Sequence, residues 1–70
     1  MKTSDLRTMC EAIEKYGHQT QSMVAMEELV ELSVEVSKAV RGVDNRTSLI
    51  EEIADAKIMI TQLELMNVIE

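Results

Sequence analysis

Two interruptions divide this chain into three stretches that each have the residue pattern of a helix. Gly17 marks the first break, and the run 41–46, which contains Gly42, Asp44 and Asn45, marks the second. The 70 residues include no proline, and aliphatic residues and Glu dominate between the breaks. Those residues favour helix, whereas Gly, Asp and Asn favour turns. The sequence therefore predicts an all-α chain of three helices, over about 5–16, 20–40 and 49–67, the last capped by Ser48 with Glu51.

The second and third predicted helices are joined by a short turn, so we expect them to form a central antiparallel helical hairpin. Each carries apolar residues at helical spacing on two faces. The main stripes are Met23, Met26, Val30 and Val34 on the second helix, and Leu49, Ile53, Ala56, Ile60 and Leu63 on the third, which should pack against the second. A chain this short cannot cover two apolar faces by itself. We therefore expect a multi-helix bundle formed by a homodimer or homotetramer.

Charge and composition exclude several classes of partner. The net charge of −6 disfavours nucleic acid polymers and anionic membrane surfaces, both of which attract basic faces. No stretch approaches the roughly 20 apolar residues that span a bilayer. The single cysteine, Cys10, has no internal disulfide partner and is typical of a reducing compartment, so we expect a cytoplasmic protein. The length allows a single domain, 1–70.

Two pairs of acids are the strongest candidates for a functional site. Glu28 and Glu31 are spaced i and i+3 on the second helix, and Glu52 and Asp55 repeat that spacing on the third. Glu28 lies 14 residues before Gly42 and Asp55 lies 13 residues after it, so a hairpin brings both pairs to similar heights. Like charges repel at this spacing. Four converging carboxylates would suit a hard divalent cation such as Mg²⁺, with Mn²⁺ as an alternative.

Simpler interpretations compete with this site. Any single Glu is best explained as part of a solvated acidic face. Gln21 lies two turns before Glu28 and is either a surface amide or a contact to a nucleotide. Met59 continues the line of Glu52 and could face a base. A di-iron centre would need Glu-x-x-His motifs that are missing here, and zinc lacks partners for Cys10 and His18.

The acids stand in an order that resembles a known family. The run Glu27-Glu28-x-x-Glu31, then 20 residues, then Glu52-x-x-Asp55 is similar to the EExxE…ExxD signature of MazG-like, all-α nucleoside triphosphate pyrophosphohydrolases. The flanking residues from about 13 to 66 resemble short bacterial and phage members.

The resemblance implies an enzyme that cleaves a (deoxy)nucleoside triphosphate to the monophosphate and pyrophosphate. By motif position, Glu28, Glu31, Glu52 and Asp55 would be the Mg²⁺ ligands, with Glu31 as the catalytic base. Lys38 is a candidate for phosphate contact, and Gln21 and Met59 for other substrate contacts. A different class of function is also open. The chain could be a non-catalytic assembly or regulatory module that uses the apolar faces of the third helix.

Overall fold

The computed structural model of this chain describes residues 3–68 and contains three α-helices. They are α1 (Thr3–Tyr16), α2 (His18–Val40) and α3 (Arg46–Val68). Across the described residues the backbone forms no strand. The predicted all-α class and the predicted number of helices are confirmed.

Gly17 both ends α1 and starts α2. Its N–H donates to the Ile13 carbonyl at 2.8 Å, and its own carbonyl accepts from the N–H of Gln21 at 3.1 Å. Its φ of +87° lies in a region that glycine enters without steric penalty. One residue therefore serves two helix ends, and no linker is needed. This is why α2 begins at His18 rather than at the predicted Thr20, and why His18 lies in the helix rather than in a loop.

The end of α2 has the hydrogen bonds of a Schellman motif. The N–H of Gly42 donates to the Ala39 carbonyl at 3.0 Å, and the N–H of Val43 donates to the Lys38 carbonyl at 3.0 Å. Gly42 has a φ of +87°, which this motif requires of the residue that follows the helix cap. The predicted break at Gly42 therefore has a specific backbone geometry that ends α2.

The third helix starts three residues earlier than predicted. The Asn45 carbonyl accepts the first helical hydrogen bond, from the N–H of Leu49 at 2.9 Å, so Ser48 lies within the first turn instead of capping it. The Asn45 side chain points across the turn instead. Its Nδ2 donates to the Glu35 carbonyl at 2.9 Å and to Glu35 Oε2 at 2.6 Å. Asn45 thereby links the start of α3 to α2.

Most of the helix packing lies between α2 and α3, and α1 packs against both. Among the described residues, the inward faces carry alanines, methionines, one isoleucine and two buried glutamines. The buried residues are Met9 and Ile13 of α1, Gln21 and Ala25 of α2, and Ala56, Met59, Gln62 and Met66 of α3.

The main apolar stripes predicted for α2 and α3 do not form this core. On α2, Met26 and Val30 are 66% and 62% exposed. On α3, Ala56 is buried as expected, but Ile53 and Ile60 are exposed. The inward face of α3 is instead the line that contains Glu52. The predicted stripe faces outward because the neighbouring helices cover only part of the circumference of α3. The packed face of α3 thus includes the polar residues Glu52 and Gln62, and much of the aliphatic surface of the chain is exposed.

None of the three helices, over the residues described, combines the length and apolar character required to cross a bilayer.

Replacing Gly42 by Ala should lower the free energy of unfolding by about 1 kcal/mol, because only glycine tolerates this φ without strain. A Cβ here would meet no atom within 4 Å, so the loss comes from the backbone alone. Urea unfolding at fixed protein concentration measures it. Gly42→Asn is the matched control and should cost less, since Asn enters the left-handed region more readily. Equal stability of the wild type and Gly42→Ala would contradict this account of the turn.

Candidate metal centre

Carboxylates from α2 and α3 meet in one group. One side-chain oxygen from each of Glu28, Glu31 and Glu52 lies within 4.8 Å of the other two. Glu28 and Glu31 share a helix face because they are one turn apart, and Glu52 reaches them from α3. The turn at Gly42 and the link from Asn45 to Glu35 set the register that brings them together.

Two of the three carboxylates leave a buried oxygen without a partner. Glu28 Oε2 and Glu52 Oε2 are shielded from solvent and have no hydrogen-bond donor within residues 3–68. Glu31, in contrast, is exposed. Because a buried polar atom without a partner is unfavourable, these two oxygens call for a cation or a proton.

The pKa values of Glu28 and Glu52 also indicate that the group favours a bound cation or a proton. Burial, followed by repulsion from Glu31 and Asp55, raises the pKa of Glu28 above its ordinary value of 4.5. Burial, followed by repulsion from Glu31, Glu28 and Asp55, likewise raises the pKa of Glu52. A hydrogen bond with Glu31 raises the pKa of Glu52 further, while a hydrogen bond with Glu52 opposes the rise at Glu28. Without a cation, both Glu28 and Glu52 therefore retain a proton more readily than an ordinary carboxyl group does.

Asp55, the fourth predicted ligand, lies beside the group and not within it. Its carboxylate is exposed and is close enough to raise the pKa values of Glu28 and Glu52, but it does not join the three oxygens that meet within 4.8 Å. Asp55 and Glu28 line a cavity of about 210 Å³ together with Val24, Ile58 and Met59. Three of the four predicted acids are thus brought together, and the fourth borders the adjoining cavity.

The three predicted substrate contacts have different surroundings. Met59 is 8% exposed and lines the cavity next to Glu28. Gln21 is buried, so it is not the surface amide that one interpretation favoured. The Nζ atom of Lys38 bonds to Glu35 Oε1 at 3.3 Å, near the turn.

Glu35 is a part of the site region that sequence reasoning left without a role. Hydrogen bonds from Asn45, and to a smaller extent the Lys38 ammonium, hold the pKa of Glu35 below 4.5. Its position one turn after Glu31 on the same helix was visible in the sequence. Its partner, ten residues away across the turn, was not.

The ligand chemistry fits a hard divalent cation. Three carboxylates supply oxygen atoms only, which is the donor set that Mg²⁺ and Mn²⁺ prefer. The unpartnered buried oxygens of Glu28 and Glu52 distinguish this group from a fully solvated acidic surface. Cys10 is a free thiol on α1 and is not part of this group.

Comparisons of the chain with protein-family models, curated proteins and solved structures each find no match. Function must therefore be argued from the site.

The raised pKa values predict a pH dependence of stability in metal-free buffer. Between 4.5 and the raised values, the folded state binds more protons at Glu28 and Glu52 than the unfolded state does, so stability falls as pH increases through this window. Glu35 acts in the opposite sense, and only below 4.5. Thermal melting of Glu52→Gln should show a smaller fall than the wild type and a higher midpoint at neutral pH.

The matched control for this experiment is Glu64→Gln, an exposed residue on the same helix. It should keep the wild-type pH profile. Coincident profiles for Glu52→Gln and Glu64→Gln would show that the carboxylate group carries no such coupling.

Proposed function

We propose that this chain is a Mg²⁺-dependent nucleotide pyrophosphohydrolase of the MazG-like type, which cleaves a (d)NTP to the (d)NMP and pyrophosphate. The observation that carries this proposal is the meeting of Glu28, Glu31 and Glu52, with two buried and unpartnered oxygens. A purely structural helix contact would gain stability by replacing these acids with apolar residues. In a cation-dependent site, the excess negative charge would bind the cation.

The proposed roles follow from exposure. Glu28 and Glu52, whose unpartnered oxygens are buried, hold the cation rigidly. Glu31 is the exposed member, so it both contacts the cation and accepts a proton from the attacking water. Asp55 completes the ligand set from the edge of the neighbouring cavity. Bound Mg²⁺ would supply neutralisation of the phosphate charge and activation of that water.

The helical framework of this proposal is an antiparallel hairpin of α2 and α3. The pairs that support it lie at increasing distance from the turn, Asn45 with Glu35 and then Glu52 with Glu28. We place the protein in the cytoplasm, where the free thiol of Cys10 stays reduced.

The same proposal includes a homo-oligomer, at least a dimer. A folded monomer of 7.9 kDa exposes about 4,400 Å². This chain exposes 5226 Å², and the excess is close to the roughly 800 Å² that one partner contributes to a standard interface. On α2, Met23, Met26 and Val30 line an open groove of about 400 Å³ that also includes Glu31. A second copy seated there would lie beside the acidic group.

Pyrophosphate release from a panel of (d)NTPs tests the activity. We expect turnover of at least one nucleotide that requires Mg²⁺ or Mn²⁺. Glu31→Gln and Asp55→Asn should each lower kcat by about a hundredfold or more, because a catalytic base and a metal ligand are lost. Glu51→Gln is the matched control. It removes an exposed acid next to Glu52 and should leave turnover unchanged.

A second readout separates binding from catalysis. Mg²⁺ should raise the melting midpoint of the wild type and of Glu51→Gln, and it should do so much less in Glu52→Gln. Turnover absent from the whole panel, with either metal, would contradict the enzymatic proposal even if Mg²⁺ stabilises the fold.

A non-catalytic assembly or regulatory module is the alternative function. It is favoured by the exposed isoleucines of α3, Ile50, Ile53, Ile58 and Ile60. This function would not need the carboxylates. Neutralising Glu28, Glu31, Glu52 and Asp55 together should then raise stability and leave partner binding intact, whereas the enzymatic proposal requires the loss of Mg²⁺ binding.

The oligomer is tested by sedimentation velocity. The wild type should sediment as a dimer or larger species, and Val30→Lys should shift it toward the monomer, because a charge would be placed in the proposed apolar interface. Ser33→Lys puts the same charge on an exposed polar position of α2 and serves as the control. A monomeric wild type, or equal effects of the two lysines, would contradict an interface on this face.

A further inference from the structure

A strip of exposed residues runs along the outer side of α2, and its charge changes sign about the middle. Glu27, Val34 and Arg41 are spaced by seven residues, which is close to two helical turns, so they follow one line along the helix. All three are exposed, and Val34 is 46% exposed. The strip therefore has an acid at one end, a valine at its centre and a base at the other end.

The two charged ends of this strip form no ion pair within residues 3–68. The Arg41 Nε donates to the Ser37 carbonyl at 3.3 Å, which holds the guanidinium along its own helix. The ion pair that the described chain forms on α2 joins Lys38 to Glu35 and uses neither end of the strip. Glu27 and Arg41 are therefore both available to charged groups from outside the chain.

Apolar side chains lie beside the acidic end of the strip. Val30 is 62% exposed and Met26 is 66% exposed. Together with Met23, they line an open groove of about 400 Å³ whose acidic residues are Glu27 and Glu31. A partner that docks here has to bring apolar surface together with a cation. The other half of the same strip offers both, in Val34 and Arg41.

Two copies of this strip are complementary when their α2 helices run antiparallel. With a two-fold axis beside Val34, Glu27 of each copy lies opposite the partner's Arg41, because both residues are seven positions from the axis. In a parallel arrangement, each residue would instead meet its own copy, and like charges would face each other. A surface that is complementary to itself under a two-fold rotation is what an isologous dimer requires, whereas a different protein would need no such charge order.

We propose that a second copy of this chain docks antiparallel on the outer side of α2, about a two-fold axis beside Val34, and that the partner's Arg41 pairs with Glu27. Because Glu27 and Glu31 line the same groove, the partner's guanidinium lies at the edge of the metal centre. Each copy thereby contributes a cation to the surroundings of the other copy's carboxylates. This inference rests on the homo-oligomer of the proposed function and not on its enzymatic activity.

Charge reversal tests the pairing, with the dimer dissociation constant measured by sedimentation equilibrium. Glu27→Lys and Arg41→Glu should each raise this constant by about tenfold or more, because each change turns two attractive contacts into two repulsive ones. The double variant that carries both changes restores opposite charges across the axis. It should return the constant to within about threefold of the wild-type value, and its net charge is again −6.

The matched control for the single variants is Glu64→Lys. It changes the net charge by as much as Glu27→Lys does, but at an exposed position of α3. The dissociation constant of this variant should remain that of the wild type.

A disulfide locates the two-fold axis independently of charge. Cys10→Ser first removes the free thiol of the chain. In this background, Val34→Cys places two thiols next to the axis, and mild oxidation should link the two copies. Ser33→Cys is the control and should link them far less, because successive residues of a helix point about 100° apart.

The outcomes separate this inference from the proposed function. A dimer that Glu27→Lys leaves unchanged, or that the double variant does not restore, would overturn the antiparallel pairing and leave the homo-oligomer standing. Equal linking through Ser33→Cys and Val34→Cys would do the same. A monomeric wild type, as expected if a different protein covers this strip, would overturn both. The expected charge response without pyrophosphate release would support the interface and contradict the enzymatic activity.

Discussion

Three carboxylates, those of Glu28, Glu31 and Glu52, repel one another where α2 meets α3. These carboxylates lie at the contact between the two longest helices, where an ordinary bundle would place aliphatic side chains. Burial and mutual repulsion raise the pKa values of Glu28 and Glu52, so the metal-free fold is favoured by protonation. A cation would relieve the same repulsion and couple ligand binding to the stability of the fold.

The turn between α2 and α3 determines how the acids meet. The register of α2 and α3 has to bring a pair of acids on one helix opposite an acid on the other. The Schellman motif at Gly42 and the two hydrogen bonds from Asn45 to Glu35 set that register near the turn. Since both interactions are specific in direction, a shift of one residue would break them and would separate Glu52 from Glu28.

Because the packed face of α3 includes polar residues such as Glu52 and Gln62, much of the apolar surface of the chain faces outward. The core of the isolated chain consists of alanines, methionines and one isoleucine, while aliphatic residues of α2 and α3 face outward. The Cα radius of gyration, 13.6 Å, exceeds the value of about 11 Å expected for a compact domain of this length. The proposed homo-oligomer would cover part of this exposed aliphatic surface with helices from another copy of the chain.

The three helices and the members of the acidic group could be predicted from the residues alone. Helix propensity and two glycines are local properties, so three helices and their breaks near Gly17 and Gly42 could be predicted from the residues alone. The spacing of Glu28 and Glu31 and the distances to the turn were sufficient to predict that α2 and α3 would bring carboxylates together.

Which helix faces turn inward depends on contacts between the helices and could not be predicted from the pattern along the chain. The stripe with Val30 on α2 and the stripe with Ile53 on α3 are the more hydrophobic faces of their helices, yet both are exposed. The packed face of α3 is the one that contains Glu52 and Gln62. Periodicity cannot choose between faces when a helix has more than one, because the choice depends on what the neighbouring helices cover. For the same reason, the exclusion of Asp55 from the closest group and the unpartnered oxygen of Gln62 depend on side-chain positions across helices, which no spacing along the chain encodes.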